Sequence, residues 1–301
     1  MNMQRSDKPK VLVVVGPTSS GKSALAVEIA KAFNGEVISA DSRQVYRALN
    51  IGTGKVTRKE MQGVPHHLLD VADPKKRFSA ADFARLGKRA IDDILSSGKL
   101  PIIAGGTGFY IDALLYPDSL PAVPPNYALR AKLERRSTQS LYSTLKTLDP
   151  KRAETIEPQN KRRLIRAIEI AEAVGKSPSP KRGSPYDLLV IGIFPPKEVL
   201  RGRIHDRLYQ RMRRGMVAEA RRLHTRGLSY TRMRELGLEY RILADFLQGQ
   251  VTKAEMLARL ETDIWHYAKR QMTWWRGRTL LRIERPSLPD VRVRIERFLK
   301  K

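Results

Sequence analysis

The sequence predicts an α/β protein: a parallel sheet flanked by helices, with a helical insertion. Three observations carry this. Short β-branched apolar runs end in Gly-rich turns. Segments with helical spacing alternate with those runs. Between two Pro-rich stretches the chain becomes basic and helical. Lys10 to Val15 is short, β-branched and stopped by Gly16 and Pro17, so it is expected as a buried strand. Ser23 to Phe33 follows as a helix with Leu25, Ile29 and Phe33 on one face. "GEVISADS" gives a second strand ending near Asp41. "RFSAADFARLGKRAIDDILSSGK" has helical spacing at Phe83, Leu86, Ala90 and Ile94 and stops at Gly98. "LPIIAGGTGFY" is a third buried strand entering a Gly-rich turn. "YPDSLPAVPPNY" reads as a boundary, Ala128 to Val174 as basic helices, and "GKSPSPKRGSP" as a flexible stretch. "DLLVIGIF" restores the strand pattern, and basic helices finish the chain. The expected division is a core of 1–115 and 184–301 around an insertion of 116–183.

Charge narrows the function. The 301 residues include 57 Lys and Arg against 31 Asp and Glu, a net of +26, which points to a polyanionic partner. Nucleic acid is favoured over a membrane, because no apolar run approaches the roughly 20 residues of a spanning helix. The start "MNMQRSDKPK" is followed by only five apolar residues, too few for a secretory signal. There are no cysteines, which excludes disulfides and thiolate metal sites and fits a cytoplasmic protein.

"VVVGPTSSGKS" contains Gly16, four residues, then Gly21, Lys22 and Ser23, the full G-x-x-x-x-G-K-[ST] pattern. It implies a P-loop NTPase-like sheet. Backbone N–H groups from Gly16, Pro17, Thr18, Ser19, Ser20, Gly21, Lys22 and Ser23, less the proline, can curl around phosphate. The following helix adds its positive end. Lys22 supplies charge, and the Ser23 hydroxyl can hold Mg²⁺. Asp41 stands at a strand end on the same sheet edge, where ligands of open parallel sheets bind. It can be a turn residue, a Mg²⁺ ligand or a general base. The neighbouring "SRQVY" suits contact with a base.

Leu200, Ile204, Leu208 and Met212 predict one helix over Lys197 to Leu223 with an apolar stripe. Arg203, Arg207 and Arg211 form an adjacent stripe. It suits phosphates or a solvated face, since like charges at that spacing destabilise a free helix. His66 and His67 lie in a loop-like stretch without metal-site spacing. Trp265, Trp274 and Trp275 read as packing residues.

These pieces together resemble the tRNA dimethylallyltransferases. "GPTSSGKSALAVEIA", "VISADSRQVYRALNIGTGK", "GVPHHLLD", "AGGTGFYI", "QNKRRLIRAIEI" and "AKRQMTWWRGR" are similar to that family's blocks, in its order. The resemblance implies transfer of a dimethylallyl group from dimethylallyl diphosphate, with Mg²⁺, to the N6 amine of the adenine 3′ of the anticodon. It implies Asp41 as general base, Thr107 at the reacting centre, and Arg207 (with Arg203 as rival) on the leaving diphosphate. Asp41, Ser42, Arg43, Gln44, Thr107, Arg130, Gln159, Asn160, Lys161, Arg162 and Arg163 would meet the tRNA anticodon stem-loop. A cytoplasmic monomer without membrane attachment is expected. Leu238 in "MRELGLEYR" stands where the family commonly has an aromatic. The stretch after Tyr116 is shorter than usual. A small-molecule or nucleoside kinase of the P-loop class shares the loop and sheet but leaves the +26 charge and "QNKRR" unexplained. A non-enzymatic RNA-binding ATPase leaves Asp41 idle.

Overall fold

A computed structural model describes residues 8–117, 120–121, 123–175 and 183–300. The chain forms two compact units, Met1–Leu115 with Ser184–Lys301, and Tyr116–Gly183. Most of the Ser/Pro-rich stretch expected to be flexible lies outside the described residues, as do positions 118, 119 and 122 of the Pro-rich boundary.

The larger unit is built on a sheet of six parallel strands. In chain order it comprises β1 (Lys10–Val15), α1 (Lys22–Ala32), β2 (Gly35–Ser39), α2 (Arg58–Met61), β3 (His66–His67), α3 (Ala80–Ser96), β4 (Leu100–Gly105) and α4 (Gly108–Leu115). The spatial strand order is β3-β2-β4-β1, continued by β5 (Asp187–Ile193) and β6 (Leu281–Ile283). β1 is therefore central, paired with β4 on one side and β5 on the other. Its residues Val11 to Val15 are fully buried, as an all-parallel sheet covered on both faces requires. Leu12, Val14, Ile102 and Ile191 pack with Leu25 and Ile29 of α1 and with Val291, Ile295 and Phe298.

The short strand β3 corrects the sequence reading, which had His66 and His67 in a loop. Two residues carry too little periodicity to register. Both pair with β2, at Val37 and Ile38, and Nε2 of His67 lies 2.6 Å from a Glu36 carboxylate oxygen.

The segment expected as a single helix is also corrected. It is two: α9 (Lys197–Arg213) and α10 (Met216–Thr225). Gly215 between them has φ 92°, a left-handed conformation that ends helical propagation and suits glycine. The rest of the unit is α11 (Tyr230–Leu236), α12 (Leu238–Leu247), α13 (Lys253–Trp274) and, after β6, α14 (Leu288–Lys300). α3 and α13 begin with reciprocal capping boxes, Ser79 with Asp82 and Thr252 with Glu255.

The smaller unit contains α5 (Tyr127–Glu134), α6 (Thr138–Leu148), α7 (Pro150–Thr155) and α8 (Lys161–Val174). They close around Leu133, Leu141, Leu145, Leu164 and Ile168. Glu169 is buried in this unit. Its carboxylate accepts from Nε and Nη2 of Arg130 at 2.9 and 2.7 Å, from Arg166, and from the Asn126 amide at 2.6 Å. Burial opposes its ionisation, but these donors outweigh it and hold its pKa down to about 2.

Candidate active site

The carboxyl ends of β1, β2 and β4 bring three loops to one edge. The first is the phosphate loop from Gly16 to Ser23. Gly21 ends it at φ 95° and starts α1 without any side-chain cap. A Cβ at Gly21 would lie 2.7 Å from Pro286, so a capping side chain is excluded sterically as well as conformationally. The first-turn N–H groups of α1 are thus left for a ligand, and the helix dipole adds a positive field there. Ser20 is fully buried, and its Oγ has no hydrogen-bond partner among the described residues. Lys22 Nζ donates to the Pro17 carbonyl at 3.1 Å. Burial lowers its pKa to about 8; nearby Asp41 pulls it upward and Arg207 downward.

The second loop carries Asp41. Its Oδ1 accepts from the amides of Arg43 and Gln44 at 2.8 and 3.3 Å, which fixes the carboxylate in a turn. So the turn reading and the chemical reading of Asp41 are compatible. The third loop follows β4. Thr107 Oγ1 accepts from the Ser42 amide at 3.0 Å and ties this loop to the second.

A narrow cleft of about 500 Å³, counted to its open mouth, is lined by Thr18, Asp41, Arg43, Thr53, Arg207 and Tyr267, with Ile204, Leu238 and Ile264 as apolar wall. Asp41 and Arg207 are therefore on one cavity. Arg207 donates to the Gly54 carbonyl at 2.7 Å, and burial followed by repulsion from Arg211 lowers its pKa. Arg203, the rival, is directed to the Ser20 carbonyl at 3.4 Å, close to the loop but not among the cleft residues. Arg211 lines the cleft as well, but its guanidinium is already engaged. It is buried, donating to the Gly52 carbonyl at 2.7 Å and pairing with Glu239 at 2.8 Å. Met212 is only half-buried. Helical drift explains this: after Leu200, Ile204 and Leu208, a period of 3.6 brings residue 211 inward instead of 212.

Several contributors escaped the sequence reading. Gln271 is buried on α13 and bridges two loops: its Oε1 accepts from the Thr18 amide at 2.8 Å, and its Nε2 donates to the Gly106 carbonyl at 2.9 Å. Tyr267 stands one turn earlier. Burial raises its pKa, Asp41 adds to that, and a hydrogen bond with Thr107 opposes it. Glu219 is buried on α10 and accepts from the amides of Asn50, Ile51 and Gly52 at 3.0, 2.8 and 2.9 Å and from Tyr240 Oη at 2.7 Å. It thereby anchors the turn that presents Thr53 and the Gly54 carbonyl. A signal for Gln271 and Glu219 did exist: each is a polar residue at an apolar step of a buried helix stripe.

The residues from Gln159 to Arg163 sit in the smaller unit, at the start of α8. Asn160 caps that helix by accepting from the Arg163 amide, Lys161 reaches the Glu134 carbonyl, and Gln159, Arg162 and Arg163 are exposed. Arg130 is engaged by Glu169. Among the described residues no three His, Asp or Glu side chains cluster as a metal site, and no helix is long and apolar enough to cross a membrane.

The family model described as IPP transferase matches residues 44–278. The chain belongs to the IPP transferase family. Its relatives include the tRNA dimethylallyltransferase of Anoxybacillus flavithermus, 41% identical over 273 residues, covering 89% of this chain and 88% of that protein. The tRNA dimethylallyltransferase of Thermomicrobium roseum is 41% identical over 301 residues, covering 96% and 92%. Among solved structures, the tRNA isopentenylpyrophosphate transferase of Bacillus halodurans aligns at a TM-score of 0.73 and 38% identity, covering 97% of this chain and 96% of that one. A eukaryotic dimethylallyltransferase acting on tRNA aligns at 0.77 and 29%, covering 94% and 72%. The IPP transferase fold is thus a parallel sheet flanked by helices, and the relatives favour a transferase over the kinase reading.

Proposed function

We propose that this IPP transferase moves a dimethylallyl group from dimethylallyl diphosphate to N6 of the adenine 3′-adjacent to the anticodon in tRNA, releasing diphosphate. The observation that carries the reading is the single cleft lined by Thr18, Asp41 and Arg207, beside the uncapped start of α1. In this reading the loop from Gly16 to Ser23 holds the diphosphate, with Lys22 and Arg207 opposing its charge. The lone pair of N6 forms the bond to the allylic carbon. The carbon–oxygen bond breaks, and its electrons leave with the diphosphate. Asp41 Oδ2 accepts the N6 proton, while Oδ1 stays committed to its turn amides. An amine delocalised into the adenine ring is a weak nucleophile, so proton removal during attack lowers the barrier. Ser42, Arg43, Gln44 and Thr107 surround that position, and the exposed cations from Gln159 to Arg163 and the outer edge of Arg130 supply phosphate contacts.

Mg²⁺ suits these residues. The donor set lacks a carboxylate cluster, and Mg²⁺ is commonly held by substrate phosphates and water with one or two protein oxygens. Ser23, exposed in the first turn of α1, would be that oxygen. When bound, the ion would offset charge growing on the diphosphate.

The test is purified protein, an anticodon stem-loop with adenine at that position, Mg²⁺, and either dimethylallyl diphosphate or ATP. A mass gain of one dimethylallyl group with the allylic donor alone is expected. Phosphorylation by ATP without prenylation would mean a kinase.

A further inference from the structure

Phe109 is the one phenylalanine of seven that faces solvent, 51% exposed. It is not loosely held. Gly108 beside it is covered by Trp274, which a Cβ at that glycine would approach to 2.2 Å. The Phe109 and Trp274 rings meet edge-on, 6.4 Å between centroids at 74°. Arg278 lies over Trp274 at 5.3 Å and forms a two-pronged ion pair with Asp112, at 2.6 and 2.8 Å, on the next turn of α4. The end of α13 and the segment after it thus hold α4 at Gly108 and Asp112, and the turn between presents one aromatic ring to solvent.

Its place matters. Phe109 is two residues beyond Thr107, which is bonded to Ser42 beside Asp41. Two residues of chain span at most about 7 Å, so its backbone stands within that distance of Thr107, which hydrogen-bonds the cleft-lining Tyr267. The end of α13 that meets the ring through Trp274 is cationic. Lys269, Arg270 and Arg276 are exposed, and Arg270 lies over the Tyr267 ring at 5.9 Å. A lone ring among cations is a poor seat for an apolar protein surface, which needs a contiguous patch. It is a good seat for a nucleobase, which has a π-face and carries phosphate with it.

We infer that Phe109 is a stacking platform for an anticodon-loop base that neighbours the reacting adenine. The inference rests on the proposed transferase reading. An adenine drawn into the cleft leaves its neighbours unstacked. A pre-positioned ring replaces the lost partner, without base-specific hydrogen bonds and without ordering a mobile side chain.

The experiment compares wild type, Phe109→Ala and Phe109→Tyr on stem-loops that are natural or abasic at each position flanking the adenine. Phe109→Ala is expected to raise KM for the natural stem-loop about tenfold. Its melting temperature and its affinity for inorganic diphosphate should match wild type. Removing the base that stacks should raise the wild-type KM by a similar factor while leaving Phe109→Ala almost unaffected. Phe109→Tyr should restore both behaviours. Equal losses for wild type and Phe109→Ala at both abasic positions would overturn the inference, as would a natural KM unchanged by Phe109→Ala. Wild-type prenylation of the natural stem-loop distinguishes that failure from failure of the transferase reading itself.

Discussion

Lys22 gives the most quantitative prediction. Burial draws its pKa from the ordinary 10.5 to about 8. At about 1.4 kcal/mol per pH unit, that displacement corresponds to about 3 kcal/mol of preference for the neutral amine in the folded, ligand-free protein. The sign follows from proton counting. Below pH 8 both folded and unfolded chains hold the proton, and the folded chain carries the full desolvation cost. Between about 8 and 10.5 the folded chain has released it and the unfolded chain has not, so this residue makes stability rise with pH. Lys22→Met removes the cost. It should be more stable than wild type at pH 7, by up to about 3 kcal/mol in urea unfolding, and the two should converge toward pH 10.5.

Binding reverses the balance. A diphosphate in the loop favours the ammonium, so above pH 8 the protein must take up a proton as it binds. At pH 8.5 about three-quarters of the ligand-free lysines are neutral, and calorimetry in two buffers of different ionisation enthalpy should register about that fraction of a proton per site. Affinity for a diphosphate monoester such as dimethylallyl diphosphate should weaken by up to about tenfold per pH unit above 8. Phosphate groups are already ionised in that range, so the slope reports the protein. Normal diphosphate binding at pH 8.5 with no proton uptake would refute the reasoning, and so would a Lys22→Met protein less stable than wild type at pH 7.

Other perturbations probe the rest of the site. Asp41→Asn should keep the fold and RNA affinity but slow single-turnover prenylation roughly a hundredfold or more, as for a lost base; near-normal rates would remove that role. Replacing Lys161, Arg162 and Arg163 with Ala should weaken stem-loop binding and flatten its salt dependence by about one slope unit per lost phosphate contact, read by titration at several salt concentrations. Glu219→Gln leaves three backbone amides and the buried Tyr240 hydroxyl without an anionic acceptor and should cost about 2–4 kcal/mol in denaturant unfolding. The surviving folded protein should bind diphosphate less tightly, because the Gly54 carbonyl that holds Arg207 has lost its anchor. Gln271→Leu, similar in volume, should weaken diphosphate binding by loosening Thr18 while leaving stem-loop affinity in place, measured by parallel titrations.

The central part of this fold was legible because local signals there agree with the tertiary outcome. Strands such as Val11 to Val15 are buried on both faces, so composition alone reveals them. Residues Gly16 to Ser23 announce themselves because backbone geometry restricts what can occupy them. The edge strand at His66 and His67 was invisible: its two residues pair through the backbone, and their side chains carry no alternation. The boundary at Gly215 was missed because one glycine in a helical pattern is compatible with continuation, and only its positive φ ends the helix. In the site, Asp41 and Lys22 stand close to strand ends, where chain order alone places them. Tyr267 reaches the cleft, and Gln271 the Thr18 amide beside it, from more than 220 residues away in sequence from Asp41, through α13, and no local pattern encodes which neighbour a helix face will meet.

The charge arrangement explains why such a cleft needs so many indirect supports. Lys22 and Arg207 repel one another, and Arg211 adds to the burden on Arg207. Left to themselves, long cationic side chains turn toward water. Here each is held by a neutral or anionic acceptor that is fixed in turn: Lys22 by the Pro17 carbonyl, Arg207 by the Gly54 carbonyl, Arg211 by Glu239 and the Gly52 carbonyl. The turn containing Gly52 and Gly54 is pinned by Glu219, and the Pro17–Thr18 corner by Gln271. Carbonyl dipoles attract cations but do not neutralise them. Lys22 and Arg207 consequently keep positive charge that a hydrogen-bonded carboxylate would have cancelled, and the geometry is already organised before an anion arrives. A leaving diphosphate, whose charge grows as the carbon departs, is the kind of species that gains most from that stored potential.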